Sequence, residues 1–123
     1  MSAKRIAVVE DDAFIRADLT EILEMEGYEV HAFANGREAL DGLSGDAASP
    51  RLIVLDLMMP VMTGYEFLER VTDAPRLAAI PIVVVSADGQ AEARLPRERV
   101  RLFMKKPIDL DAFLNAVAAL SSS

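Results

Sequence analysis

Leu52-Ile53-Val54-Leu55-Asp56 is four consecutive apolar residues ending on a carboxylate. A strand buried on both faces reads as an unbroken apolar run, whereas a strand with one wet face alternates. The same design recurs along the chain. Ile6-Ala7-Val8-Val9 runs into Glu10 and Asp11, Ile82 to Val85 runs into Ser86, and Leu102-Phe103-Met104 is followed closely by Lys106. A short run, Glu29 to Phe33, makes the second strand.

Amphipathic helical patterns fill the spaces between these runs, which predicts repeated βα units and a parallel sheet. Asp12 caps a helix whose apolar face is Phe14, Ile15, Leu19, Ile22 and Leu23, and Gly27 suits its end. Asn35 caps a second helix carrying Ala39, Leu40 and Leu43, and Gly42, Gly45, Asp46, Ser49 and Pro50 mark the loop after it. Thr63 and Glu66 have capping-box spacing before Phe67, Leu68 and Val71. Pro81 opens the fourth strand, and Pro96 limits the fourth helix to a turn or two. Asp109 caps a last helix with Leu110, Phe113, Leu114 and Val117 inward.

At 123 residues, 52% apolar and 27% charged, the chain has the size and balance of one globular domain, expected to span residues 1–123 with no effector domain. No apolar run approaches the roughly 20 residues of a membrane helix, and Met1 to Arg5 lead into a strand without a signal-peptide core. The absence of cysteine excludes disulfides and thiolate metal sites and fits a cytoplasmic protein; the single histidine, His31, excludes multi-histidine metal sites. A formal charge of -7 argues against nucleic acid or an anionic membrane as direct partner.

The chemistry-bearing residues share one kind of place, the carboxyl end of an apolar strand. In an open parallel α/β sheet ligands bind outside those ends. Four strands therefore bring Glu10, Asp11, Asp56, Ser86 and Lys106 to one crevice. Taken singly each has a bland reading: helix cap, turn former or solvated charge. Asp12 does suit a cap, which leaves Glu10 and Asp11 surplus to that role. Three convergent carboxylates repel one another and call for a cation, and oxygen-only ligands favour a hard ion such as Mg2+. Carboxylate, metal, hydroxyl and ammonium form a minimal set for phosphoryl transfer, with Asp56 as nucleophile and Lys106 and Ser86 on phosphoryl oxygens.

Val8-Val9-Glu10-Asp11-Asp12, Leu55-Asp56-Leu57-Met58-Met59-Pro60-Val61-Met62-Thr63-Gly64, Val85-Ser86-Ala87 and Lys106-Pro107 together resemble the receiver domains of two-component response regulators, the CheY-like family. The resemblance covers essentially the whole chain. It implies a flavodoxin-like (βα)5 three-layer sandwich, a five-stranded parallel sheet of order 2-1-3-4-5 with helices on both faces, here with the fourth helix short or irregular.

The resemblance further implies that Asp56 takes a phosphoryl group from the phosphohistidine of a sensor histidine kinase or phosphotransfer protein. Asp11 would be a direct Mg2+ ligand, Glu10 its acidic neighbour, Asp56 a third, and the Met58 backbone carbonyl a further ligand; Mn2+ would substitute. Ser86 would be the switch hydroxyl, Lys106 the phosphate-binding lysine, Phe103 the aromatic switch position and Lys106-Pro107 a cis bond. The domain would assist its own phosphorylation and dephosphorylation and change binding to a downstream protein through the face around strands 4 and 5.

The sequence departs from the family pattern in places. Glu10-Asp11-Asp12 offers three acids where a pair suffices, and Ile15-Arg16 sets the register on the first two. Ser86 replaces a threonine, and Phe103 lacks the hydroxyl of the commoner tyrosine. Asp88 to Arg101 is short for the family. Three other readings compete. A flavin- or nucleotide-binding domain of the same architecture would need a Gly- or Ser/Thr-rich loop after the first strand, where Glu10-Asp11-Asp12 would repel phosphate. A degenerate receiver would bind partners without phosphorylation, and a Mg2+-dependent aspartyl phosphatase would need an acid-base aspartate where Met58 stands.

Overall fold

Strand β3, Leu52–Asp56, is buried along its whole length, as its unbroken apolar run requires. The computed structural model in which it lies describes residues 4–44, 49–59, 61–96 and 98–122. β1 (Arg5–Val9) and β4 (Ile82–Ser86) flank β3, and β2 (Glu29–Phe33) and β5 (Val100–Lys105) form the edges. All neighbours pair in parallel, in the order 2-1-3-4-5 expected. β5 begins at Val100, sooner than its apolar run at Leu102 suggested.

Among the described residues four α-helices cover the sheet: α1 (Ala13–Met25), α2 (Gly36–Leu43), α3 (Gly64–Thr72) and α4 (Leu110–Ser121). Leu19 and Leu23 of α1 and Phe113 and Val117 of α4 pack with Ile6, Val8, Val54, Val83 and Val85 on one face. Ala39 and Leu43 of α2 and Phe67, Leu68 and Val71 of α3 pack with Ala7, Ile53, Leu55 and Val84 on the other. The result is the three-layer sandwich. The fourth crossover supplies a 3-10 helix, Gly89–Arg94, which ends before Pro96.

Local chemistry sets the helix boundaries. Asp12, Asn35 and Asp109 each accept backbone N–H groups from the first turn of the helix they cap. Thr63 and Glu66 form the reciprocal capping box at α3. At the other end of α1, Gly27 takes φ +95°, Gly27 N donates to Glu24 O and Tyr28 N to Leu23 O, so glycine closes the helix in a Schellman turn.

Three sequence expectations are corrected. Phe14 is 84% exposed and Leu110 47% exposed, so neither belongs to the inward face of its helix. Both sit in the first turn of their helix. Gly42 lies inside α2 rather than in the loop after it. Gly45 and Asp46, also assigned to that loop, lie outside the described residues, as does Pro60 of the Asp56 segment. Among the described residues no helix is long and apolar enough to cross a membrane.

Candidate functional site

Glu10 follows β1, Asp56 ends β3, Ser86 ends β4 and Lys106 follows β5, so the sheet order sets these residues side by side along one edge of the central strands. The register is tight: Asp56 pairs with Val85 and Ser86 with Lys105, and Lys106 N donates to Ser86 O at 2.8 Å.

Carboxylate oxygens of Glu10, Asp11 and Asp56 lie within 4.8 Å of one another. Glu10 and Asp56 are buried, while Asp11 faces solvent. Lys106 Nζ donates to Glu10 Oε1 at 2.9 Å and stands 3.6 Å from Asp56 Oδ1. The other Glu10 oxygen, Oε2, accepts Asp12 N–H at 3.2 Å.

Asp12 is not part of the cluster's chemistry. Its carboxylate accepts Phe14 N and Ile15 N at 2.9 and 3.1 Å, leaving Glu10 and Asp11 as the acids of the crevice, the register Ile15-Arg16 suggested. Arg16 does more than mark that register. Its Nη1 donates to the carbonyls of Glu10 at 2.9 Å and Asp11 at 3.3 Å, fixing the loop that aims both acids. In sequence it was legible only as a basic residue in the first turns of a helix.

Ser86 is fully buried, and its Oγ accepts Asp88 N at 3.2 Å. Met58 is 67% exposed, and its backbone N–H donates to Asp56 Oδ1 at 3.4 Å. Phe103, on β5, is half-buried against the core that α2 and α3 share. The Lys106-Pro107 bond is cis, as expected. The loop after Asp56 holds two backbone features that the sequence did not announce. Val61 adopts φ +70°, rare for a β-branched residue. At Gly64 a Cβ would meet Leu57 Cα at 2.6 Å and Asp56 O at 2.8 Å, so α3 starts where only glycine lets it approach β3.

The electrostatics follow from this crowding. Burial, and then the neighbouring Glu10 carboxylate, push the Asp56 carboxyl up to about 7. Burial alone would lower the Lys106 ammonium, but its bond to Glu10 and the charge of Asp56 outweigh that and raise it. One ammonium among three carboxylates leaves negative charge uncompensated. All-oxygen donors in that state fit a hard divalent cation such as Mg2+, with Glu10, Asp11 and Asp56 to hold it.

Comparison with known proteins agrees with the geometry. Residues 6–118 match the family model described as "Response regulator receiver domain". The chain is 33% identical over 108 residues to the two-component response regulator ORR5 of Oryza sativa subsp. japonica, covering 86% of this chain and 80% of that protein. It is 35% identical over 123 residues to the DNA-binding dual master transcriptional regulator RpaA of Synechocystis, covering 94% of this chain but 48% of that protein's length. The response regulator TrrA of Thermotoga maritima, solved in complex with Mg2+-BeF, superposes with a TM-score of 0.82 at 30% identity, covering 95% of this chain and 98% of that one.

Proposed function

Because the chain belongs to the response regulator receiver domain family, and is thereby a phosphoacceptor of two-component signalling rather than a turnover enzyme, we propose that Asp56 is the residue phosphorylated. The donor is the phosphohistidine of a sensor histidine kinase or phosphotransfer protein. The observation that carries the reading is the single ammonium of Lys106, 2.9 Å from Glu10 and 3.6 Å from Asp56, inside the three-carboxylate cluster.

An Asp56 carboxylate oxygen attacks phosphorus in line; the phosphorus–nitrogen bond to histidine breaks, an acyl phosphate forms and the imidazole leaves. Lys106 moves from Glu10 and Asp56 onto a phosphoryl oxygen, and the Ser86 hydroxyl donates to another. Mg2+, or Mn2+ in its place, would be held by Glu10, Asp11, Asp56 and the Met58 carbonyl and would supply neutralising charge. Asp56 must be ionised to attack, and burial beside Glu10 holds its carboxyl up at about 7. Phosphorylation is then reported to a downstream protein through Ser86, Phe103 and the face around β4 and β5, in the cytoplasm where such kinases present their phosphohistidine.

The experiment is incubation with a small phosphodonor and Mg2+, read by intact mass. Wild type gains one phosphoryl group and Asp56→Asn gains none. A wild type without uptake, or an Asn variant with equal uptake, removes Asp56 from the role. The degenerate-receiver alternative is disfavoured because the structure assembles Glu10, Asp11, Asp56 and Lys106.

A further inference from the structure

The chain holds no cysteine, so its sulfur chemistry rests on six methionines. A peroxide must reach a thioether to oxidise it, and exposure therefore ranks them. Met59 and Met62 are 6% and 7% exposed, and Met104 packs against the core that α1 and α4 share. Met58 and Met25 stand apart, at 67% and 78%.

The two exposed methionines differ in place. Met25 ends α1, 13 residues of helix from the Asp12 cap, which is about 20 Å at the α-helical rise. Met58 comes two residues after Asp56, and Asp56 Oδ1 lies 3.4 Å from the Met58 N–H donor and 3.6 Å from Lys106 Nζ. Among the described residues Met58 joins neither core cluster. A change in the polarity of its side chain is thus felt by the crevice rather than by the packing of the sheet.

We propose that Met58 is a peroxide-sensitive modification site, and that its sulfoxide tightens the hold of the Glu10, Asp11 and Asp56 cluster on Mg2+. The thioether sulfur attacks an oxygen of hydrogen peroxide. A sulfur–oxygen bond forms, the oxygen–oxygen bond breaks, and the transferred oxygen passes its proton to the departing hydroxide, which leaves as water. Sulfur is oxidised by two electrons and the peroxide is reduced. A thioether is a soft donor that Mg2+ ignores, whereas the sulfoxide oxygen is hard and suits it. Oxidation therefore adds a neutral oxygen donor at the mouth of an acidic site already short of positive charge. The effect on signalling rests on the receiver reading above, because the same cluster would hold the metal for phosphoryl uptake.

The test uses the full chain, treated with dilute hydrogen peroxide and mapped by peptide mass spectrometry, with Mg2+ affinity read by calorimetry. Met58 and Met25 are expected to gain one oxygen at least tenfold faster than Met59 and Met62. Oxidised Met25→Leu, which keeps Met58, should bind Mg2+ at least threefold more tightly than the same variant untreated, and a methionine sulfoxide reductase should reverse the gain. Oxidised Met58→Leu, which keeps Met25, should bind Mg2+ as it does untreated. Met58 oxidised no faster than the buried methionines overturns the site. Equal or weaker Mg2+ binding after oxidation of Met25→Leu, or a gain that persists in Met58→Leu, overturns its effect on the cluster. Phosphoryl uptake by the untreated chain separates the two readings. Uptake with no sulfoxide effect refutes this inference alone, and a sulfoxide effect in a chain that takes no phosphoryl group refutes the receiver reading alone.

Discussion

Lys106 Nζ lies 2.9 Å from Glu10 Oε1, an ion pair between residues 96 positions apart in sequence. Glu10 is almost wholly buried, and Lys106 keeps part of its side chain in solvent. The ammonium thus answers the deeper of its two carboxylate partners first, and Asp56, 3.6 Å away, is left the less compensated. The site at rest is a pocket short of positive charge.

Asp56 therefore costs the fold stability when it ionises. Its carboxyl stands at about 7 in the folded state against 3.8 as the reference value. A carboxyl that holds its proton more tightly in the fold stabilises it below the reference value and loses that contribution as pH rises through about 7. Asp56→Asn, which cannot ionise, is expected to melt above wild type at pH 8 without Mg2+, by on the order of 2 kcal/mol, with the gap closing at acid pH. Thermal unfolding across pH measures this; an Asn variant no more stable than wild type at pH 8 contradicts it.

Removing the ammonium should act on fold and chemistry together. Lys106→Met retains the apolar stem but leaves Glu10, 1% exposed, without its cation. A broken buried pair of this kind costs about 3 kcal/mol. The loss should shrink when Mg2+ is added. On the proposed role of Lys106 at a phosphoryl oxygen, its loss should slow uptake from a small phosphodonor roughly a hundredfold. Urea unfolding and timed mass spectrometry read the two effects separately.

Asp11 and Asp12 are neighbours with different work, and thermal shift with rising Mg2+ separates them. Asp11→Ala should leave metal-free stability nearly unchanged, because Asp11 is exposed, and abolish most of the Mg2+-induced rise in Tm. Asp12→Ala should cost about 1 kcal/mol by uncapping α1 and keep the Mg2+ response. The reverse pattern would transfer the ligand role to Asp12.

Two substitutions in the loop after Asp56 should have opposite signs. Val61→Gly relieves a β-branched residue at φ +70° and should stabilise by about 1 kcal/mol. Gly64→Ala drives a Cβ against the backbone of Leu57 and Asp56, and should destabilise by roughly 1–3 kcal/mol while displacing the acid of β3. Denaturant midpoints and phosphoryl uptake of the two variants test both effects.

The crevice was legible because its residues are defined by where apolar runs stop, and the caps because Asp12, Asn35, Thr63 with Glu66, and Asp109 each precede a periodic stretch. Periodicity alone did not tell which first-turn apolar residues face inward, hence Phe14 and Leu110. Nor could it show that Arg99 is 8% exposed, its Nη1 and Nη2 donating to the carbonyls of Ile80 and Leu77 at 2.9 and 3.4 Å. In sequence Arg99 is one arginine among four between residues 94 and 101, and only the tertiary approach of two loops distinguishes it. Val61 was silent for a related reason: its side chain disfavours the conformation the loop imposes.

The backbone bond from Lys106 N to Ser86 O gives the phosphoacceptor crevice a native reporter. That amide proton is held by the strand carrying the hydroxyl and belongs to the residue carrying the ammonium. Its exchange with solvent deuterium reads whether the two strand ends stay joined, without a label near the chemistry. Exchange slowed by loading of Asp56 would show the ends drawn together, and exchange quickened would show them prised apart.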